Sequence, residues 1–362
     1  MSPSPADSRQ SSPILQIQTQ QVSAVRTPVA RNHADSAIAQ RAQKTTLIGL
    51  RAAVVVAGAA YVLALGGSAL LHVRASVLDG VPLCLGPAAF LCFYSRLVFP
   101  RAVRVAQGLE AAFIIIVLGL SLACLSYIGA MANLPLRDQE MIWVERQLGF
   151  DWLQVMGGLD RWPGVLRLLG WAYATFTSQL IATVLVLIIA RRTRELDCFF
   201  LTFVCATLIA EVSSALLPTL GPMSALAGNA AFQHLPTLGR ATGETVLALR
   251  QGTLAIVDLD AINGIISFPS LHAAVAVIVP FTLRWNKPLF WPLVVLDGLM
   301  LVSTVPSGNH YLTDVLGGVA VAVLAIACGR MAQQSLDRLI AATVSNFRSP
   351  LQSRAARTTP AE

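Results

Sequence analysis

Apolar residues in this chain are gathered into long, nearly uninterrupted runs, and most polar residues lie between those runs. About 20 consecutive apolar residues are enough to cross the hydrocarbon core of a bilayer as one helix. The pattern therefore predicts an all-α, polytopic membrane helical bundle with about eight transmembrane helices. The predicted spans are 47–72, 81–99, 109–132, 170–190, 197–218, 270–284, 288–306 and 311–330.

The polar stretches outside these runs divide the chain further. Residues 1–46 are rich in Ser, Gln, Ala and Pro without an apolar period, which predicts a disordered cytoplasmic tail. The range 47–132 holds the N-terminal transmembrane helices, and 133–330 holds the main membrane domain. Residues 331–362 are predicted to form a second cytoplasmic tail, whose last part, 347–362, is interpreted as disordered like the first.

The loop between the third and fourth predicted spans carries a periodic pattern of its own. Over residues 138–169 apolar side chains recur at helical spacing, which predicts amphipathic helices on the outer membrane surface or packed over the bundle. Trp143, Trp152 and Trp162 suit a position at the level of the lipid headgroups.

Composition and charge agree with a membrane protein. Hydrophobic residues make up 55% of the chain and charged residues 12%, against about 25% charged in a soluble domain. The formal net charge of +7 lies largely in short loops and tails, where the positive-inside rule expects it. The charge therefore needs no nucleic-acid partner, and binding to anionic lipid headgroups is a reasonable addition. With eight spans the basic loops share one side, so both termini are predicted to be cytoplasmic and the loops 219–269 and 307–310 lie outside.

Two short motifs at the edges of apolar segments contain histidine. The first is Ser267-Phe-Pro-Ser-Leu-His272, and the second runs from Ser303 to Asp314 and contains His310. His310 and Asp314 are four residues apart at the start of a predicted helix, so they share one side of it. A carboxylate in that place can orient an imidazole, as an activated nucleophile requires. The two motifs therefore predict chemistry on a molecule that lies in the membrane.

Together the motifs resemble those of the type 2 phosphatidic acid phosphatase superfamily, whose pattern is P-S-G-H followed by S-R-x5-H-x3-D. Here Pro269-Ser270-Leu271-His272 has Leu in the place of Gly. The second motif keeps its spacing from Ser303 to Asp314, with Thr304 in the place of Arg. The earlier Lys…Arg-Pro element of the family is not recognisable. F-P-S-L-H-A followed by H-Y-x-x-D is similar to the inositol phosphorylceramide synthase branch, whose members are inositolphosphotransferases.

The resemblance implies a six-helix phosphatase-like core within 133–330 and a metal-independent reaction without a cofactor. In the family, the later histidine attacks phosphorus and forms a phosphohistidine, while the earlier histidine protonates the leaving oxygen. Carried over, His310 is the nucleophile, Asp314 orients it and His272 is the general acid. Ser270 and the backbone around Leu271 are expected to bind phosphate oxygens at the start of a helix.

The absent Lys and Arg leave few cations for the phosphate. Arg250 and Arg240, in the predicted outer loop, are the candidates to replace them. A phosphodiester carries less charge than a monoester, so the departure favours a transferase that moves a phospho-headgroup, such as inositol phosphate, between lipids. A phosphatase of phosphatidic acid-like monoesters is the alternative. The expected partners are a phospholipid or sphingolipid substrate and a plasma or bacterial inner membrane, and the oligomeric state is left open.

Two charged residues within predicted spans keep a further alternative open. Glu211 and Asp297 are ionisable groups at membrane depth, which are candidates for function by default and would suit a transporter. Their simpler interpretation is a buried hydrogen bond to a neighbouring helix.

Several other residues near the motifs have structural or alternative interpretations. His272, His310 and Asp314 are also of metal-ligand type, although no further ligand cluster accompanies them. Tyr311 is predicted to be an interfacial aromatic residue. The remaining positions are Gly317 and Gly318, which are expected to allow close helix packing, and Asp258 and Asp260, which are interpreted as a solvated turn or as partners of a polyol headgroup.

Overall fold

The computed structural model describes residues 103–228, 232–253 and 264–357, together with a few isolated positions between 55 and 66. The predicted tail 1–46, almost all of the first predicted span and all of the second fall outside the described residues. Asp258 and Asp260 also lie outside them.

The described ranges contain eleven helices and no strand, in agreement with the predicted all-α class. They are α1 Val103–Met131, α2 Asp138–Gln147, α3 Trp152–Leu159, α4 Pro163–Ala174, α5 Phe176–Ile189, α6 Thr193–Leu216, α7 Pro222–Leu226, α8 Leu238–Arg250, α9 Leu271–Leu283, α10 Lys287–Ser303 and α11 Leu312–Arg357.

Among the described helices, three are long and apolar enough to cross a membrane. They are α1, α6 and the first 28 residues of α11. Helices α4 and α5 together form a fourth candidate, although the chain bends by 46° between them. An integral membrane helical bundle is therefore supported, whereas the predicted count of eight spans is not confirmed. The sixth predicted span corresponds to α9, whose 13 residues reach only about 20 Å at 1.5 Å per residue, against a hydrocarbon core of about 30 Å.

Helix α9 lies at the centre of the described bundle and packs against α5, α6, α10 and α11. Val275 and Ile278 on this helix are completely buried. Close approach to α11 depends on Gly318, because a Cβ atom there would lie 2.2 Å from the carbonyl oxygen of Ser270. At Gly317 a Cβ atom would lie 2.8 Å from the ring of Phe268. The prediction that these glycines allow close packing is confirmed.

The predicted amphipathic segment forms α2, α3 and α4. Trp143 and Trp162 are 63% and 64% exposed, in agreement with an interfacial position. Trp152 is only 1% exposed, so its predicted place among the headgroups is wrong. It packs with Met156 in a core cluster that reaches Ala273 of α9 and Val315 of α11. Helix α3 therefore covers the ends of the two helices that follow the histidine motifs.

Helix α11 continues to Arg357, into the range 347–362 for which the sequence predicts disorder. The region after the apolar part is rich in Ala, Leu, Arg and Gln. These residues have high helix propensity, so the helix continues without an apolar face of membrane length.

Candidate active site

The loop that precedes α9 and the loop that precedes α11 are bound directly to each other. The Ser267 hydroxyl donates to the carbonyl oxygen of Asn309 at 2.7 Å. The backbone N–H of Ser270 donates to the carbonyl oxygen of Asp314 at 3.0 Å. The two histidine motifs, 38 residues apart in the sequence, are thereby brought together as predicted, and the ring centroids of His272 and His310 lie 6.2 Å apart.

The His310 ring is held in one orientation by backbone and side-chain contacts. Its Nδ1 atom lies 3.0 Å from the carbonyl oxygen of Ser267. A carbonyl oxygen only accepts hydrogen bonds, so Nδ1 carries the proton in this contact and Nε2 is left with its lone pair. Nε2 points toward the hydroxyl oxygen of Ser270 at 3.4 Å. The arrangement thus favours the tautomer in which Nε2 can act as a nucleophile or base.

Asp314 lies beside the His310 ring but does not take the first hydrogen bond from it. Its Oδ2 atom is 3.6 Å from Nδ1. The same oxygen lies 2.7 Å from the Ser267 hydroxyl oxygen, whose single proton is shared between this carboxylate and the Asn309 carbonyl, and it accepts from the backbone N–H of Tyr311 at 2.9 Å. Helix α11 begins only at Leu312, so the carboxylate folds back over the first turn. Ser267 is therefore the direct partner of the imidazole, a contact that the sequence pattern did not reveal.

His272 is enclosed by two aromatic rings at the bend between α4 and α5. The Tyr173 ring stacks on the imidazole with centroids 3.9 Å apart and planes 10° apart. The centroid of the Phe176 ring lies 4.4 Å from that of the imidazole, and the two ring planes are tilted by 37°. The two aromatic residues flank Thr175, where the 46° bend occurs. Because the bend turns both rings toward α9, it positions the imidazole, and nothing in the sequence marked these two residues.

The N-terminus of α9 lies beside His310. Ser270 is completely buried and caps this helix, since its hydroxyl oxygen accepts from the backbone N–H of Ala273 at 3.3 Å. The first N–H groups of a helix have no partner within it, and they carry the positive end of the helix dipole. The N–H groups of Leu271 and His272 belong to this first turn. The place predicted for phosphate oxygens is thus a helix N-terminus next to Nε2 of His310.

Both histidines line one large apolar cavity, which we call the histidine cavity. Its volume is about 510 Å³, and its walls come from α1, α4, α5, α6 and the loop before α9. Glu211 also lines it, is 6% exposed and has no hydrogen-bond or ion-pair partner among the described residues. Asp297 is buried on α10 outside this wall. The expected hydrogen bond to a neighbouring helix is therefore not found for Glu211.

Residues 139–328 match the family model described as PAP2 superfamily, and this range covers more than half of the chain. The chain belongs to the PAP2 superfamily. Membership indicates lipid phosphate chemistry of the phosphatase or phosphotransferase type. No curated protein and no solved structure matches the chain, and the match does not distinguish an inositolphosphotransferase branch.

The PAP2 match begins at α2, and this helix contacts the loop that carries His310. Tyr311 is completely buried, so its prediction as an interfacial aromatic residue is wrong. Its hydroxyl donates to Oδ1 of Asp138 on α2 at 2.9 Å. Asp138 also accepts from the backbone N–H groups of Leu220 and Gly221. Gly221 is required there, because a Cβ atom would lie 2.6 Å from the carbonyl oxygen of Asn309.

A second carboxylate of α2 caps the helix that follows His310. Glu145 Oε1 accepts from the backbone N–H of Leu312 at the start of α11. Burial raises the pKa of Glu145 to about 7, with a further increase from the charge of Asp314. Burial likewise raises the pKa of Asp138. Acidic side chains are favoured at a helix N-terminus. Through Asp138 and Glu145, α2 therefore holds in place the segment that directly follows His310.

The two candidate arginines both lie on α8. Arg240 is exposed in the first turn of α8, and Arg250 is half-buried at its end with Nη1 lacking a hydrogen-bond partner. Neither of them lines the histidine cavity, and its described lining includes no Lys or Arg. Gly239 brings the start of α8 onto Gly308, where a Cβ atom would lie 2.3 Å from the Gly308 carbonyl. Arg240 is therefore near the loop that precedes α11 and contains His310, whereas Arg250 is about 15 Å further along α8.

Proposed function

We propose that this protein is an integral membrane lipid phosphotransferase that moves a phospho-headgroup between lipids through a phosphohistidine on His310. Nε2 of His310 attacks phosphorus of the donor lipid, and the bond from phosphorus to the leaving alkoxide oxygen breaks. His272 gives its proton to that oxygen. In the second step the hydroxyl of an acceptor lipid attacks phosphorus, the bond to Nε2 breaks, and His272 recovers a proton from the hydroxyl.

The observation that carries the proposal is the 3.0 Å contact between Nδ1 of His310 and the carbonyl oxygen of Ser267, from which the tautomer of His310 follows. Because Nδ1 is occupied by the Ser267 carbonyl, the Nε2 lone pair faces the N-terminus of α9 and the hydroxyl of Ser270. A phosphoryl group bound there meets the nucleophile and fixed backbone donors together. The negative charge of Asp314 at 3.6 Å from Nδ1 stabilises the cationic imidazole that forms when phosphorus is bound.

A diester donor fits the surroundings better than a monoester. The described lining of the histidine cavity contains no Lys or Arg, and a dianionic monoester in such a place lacks permanent compensating charge. Arg240 and Arg250 of α8 are the proposed sources of positive charge for the phosphate. Neither lines the histidine cavity, and the start of α8, next to Arg240, packs onto Gly308 in the loop before α11. A phosphatase that uses water as the acceptor is the second candidate, because the same histidines would serve it.

The site is proposed to lie on the outer, non-cytoplasmic face of a plasma or bacterial inner membrane. The α5–α6 and α9–α10 connections carry basic residues. Because the histidine motifs lie at the starts of α9 and α11, these connections lie at the opposite helix ends. By the positive-inside rule those ends face the cytoplasm.

The experiment is an assay of initial rates with labelled phosphatidic acid and labelled phosphatidylinositol, each with and without a lipid alcohol acceptor. The expected result is weak hydrolysis of the monoester and acceptor-dependent turnover of the diester, with label retained on acid-sensitive phosphohistidine. His310→Ala should lose both turnover and protein-bound label. Efficient hydrolysis of phosphatidic acid without an acceptor would instead establish the phosphatase.

The arginines are tested in the same assay. Arg250→Ala and Arg240→Ala are each expected to reduce diester turnover by more than about tenfold if they neutralise phosphate charge. Arg167→Ala, which removes an exposed positive charge from α4 instead, is the matched control. Unchanged rates for both α8 variants would assign the phosphate to the backbone donors of α9 alone.

A further inference from the structure

A second cavity, lined by polar and charged residues, lies at the other end of the helices from His272 and His310, and we call it the arginine cavity. Its volume is about 170 Å³. Three guanidinium groups line it, from Arg194 at the start of α6, Arg284 after the end of α9 and Arg330 on α11. It does not share a lining residue with the histidine cavity.

Only one of these three charges is neutralised. Arg194 makes a two-nitrogen contact with Oδ2 of Asp337, at 2.7 and 3.0 Å. Arg284 donates to the backbone carbonyl of Phe281, and neither it nor Arg330 has a carboxylate partner among the described residues. Glu195, which also lines the cavity, is paired with Arg192. Two positive charges are therefore left over.

The two arginines without a carboxylate partner have exposed side chains and lie against the same aromatic ring. The guanidinium carbon of Arg284 is 4.0 Å from the centroid of the Phe281 ring, and that of Arg330 is 5.8 Å from the same centroid. One ring attracts both cations, but two like charges around it repel each other. An anion between them removes that repulsion and adds charge-assisted hydrogen bonds from both forks.

A buried amide at the cavity supplies an independent sign of a ligand. Gln333 is 8% exposed and lines the cavity. Its amide nitrogen donates to Asp337 at 3.2 Å, while its Oε1 atom is buried with no hydrogen-bond partner. A buried carbonyl-type oxygen without a donor is unfavourable, because it has lost its hydrogen bonds to water without replacement. The cavity is thus lined by two cations without a carboxylate partner and by a residue whose buried side-chain oxygen lacks a donor.

We propose that the arginine cavity binds a phosphate group that also carries a hydroxyl donor. The oxygens of the phosphate accept from Arg284 and Arg330, and a protonated phosphate oxygen or a neighbouring hydroxyl donates to Gln333. An anionic lipid headgroup and a free phosphate share this chemistry. Because α6, α9 and α11 each contribute an arginine, occupancy stabilises their packing against each other. The proposal does not depend on the chemistry at His310.

The test measures thermal unfolding of the full chain carrying His310→Ala, so that turnover of a lipid cannot affect the result. One arm adds inorganic phosphate to protein in neutral phosphatidylcholine nanodiscs. The other arm compares those nanodiscs with nanodiscs that contain phosphatidylglycerol. A ligand at about one hundred times its dissociation constant should raise Tm by about 3–5 °C.

The Arg284→Gln/Arg330→Gln double variant should lose this rise, with affinity at least about tenfold lower. Arg338→Gln is the matched control, because it removes the same charge from an exposed position of α11 outside the cavity. If Tm rises with inorganic phosphate, a phosphate group alone is sufficient for binding. If Tm rises only with phosphatidylglycerol, the ligand is the lipid headgroup. No rise in either arm, or a rise that the double variant keeps or that Arg338→Gln equally removes, would overturn the proposal.

If the double variant fails to fold, Arg284→Lys decides the question. It keeps the charge but removes the planar fork that two phosphate oxygens require. Affinity should fall by a few fold relative to the unmodified cavity, and equal affinity would overturn the assignment of Arg284.

Discussion

The Tyr311 hydroxyl donates to Oδ1 of Asp138 across 2.9 Å, and this bond joins α2 to the residue that follows His310. The two residues are 173 positions apart in the sequence. Both are buried, and Asp138 also accepts from backbone N–H groups of the loop after α6. One carboxylate therefore connects α2, the loop after α6 and the residue that follows His310.

Removing that hydroxyl should loosen the loop. Tyr311→Phe keeps the ring and leaves Asp138 with its backbone donors only, so the free energy of unfolding should fall by about 1–2 kcal/mol. Because His310 directly precedes Tyr311 in the chain, kcat should also fall, while KM for the lipid changes little. Tyr127→Phe is unsuitable as a control, since Tyr127 has interactions of its own; Thr245→Val, which removes an exposed hydroxyl from α8, serves instead. An unchanged kcat in Tyr311→Phe would show that α2 does not position the loop.

Glu145 should make stability depend on pH. Its pKa is raised from 4.5 to about 7 in the folded protein, so the folded state holds the proton more tightly than the unfolded state. Stability is then greatest below the unfolded pKa, and it falls as pH rises from about 4.5 to about 7. Glu145→Gln retains an acceptor for the Leu312 N–H but cannot ionise.

The measurement is Tm of both proteins in detergent from pH 5 to pH 8. The Tm of Glu145→Gln relative to the original protein should increase across this range. Glu140→Gln removes an exposed acid of the same helix and should show no such increase. If the difference in Tm between Glu145→Gln and the original protein stays constant over this range, the pKa of Glu145 is not raised in the folded protein.

The aromatic pair around His272 should control proton transfer to the leaving group. Tyr173→Leu removes the ring that stacks at 3.9 Å, so the imidazole loses its fixed orientation. Rates should fall by about 10- to 100-fold for a lipid alkoxide leaving group and less for p-nitrophenolate, which needs little protonation. Tyr173→Phe keeps the ring and isolates the hydroxyl. Equal losses for both leaving groups would remove His272 from the proton-transfer step.

Topology is testable by labelling. In a background without native cysteines, Glu244→Cys on α8 should react with a membrane-impermeant thiol reagent added to intact cells. Thr193→Cys, at the start of α6, should react only after the membrane is opened. Both positions are exposed in the structure. The opposite pattern would place the histidines on the cytoplasmic side.

The helical class, the membrane character and the two histidine motifs could all be predicted from the order of the residues alone. Runs of apolar residues have one energetically acceptable form in a bilayer, because every backbone polar group must be satisfied within the helix. The spacing of His310 and Asp314 was likewise local information. Spans were harder to count, since α9 is too short to cross alone and α4 and α5 are separated by a bend that no Pro or Gly marks.

The tertiary structure decided which groups surround the imidazoles. Ser267 rather than Asp314 is the hydrogen-bond partner of His310, and Tyr173 stacks on His272 from a helix nearly 100 residues earlier. The sequence marked Tyr311 and Trp152 only as aromatic, and packing buried both. It also gave the basic residues a role in topology alone, although Arg284 and Arg330 meet at one ring. Such contacts join segments far apart along the chain, so they depend on how helices pack and leave no periodic signal within any one of them.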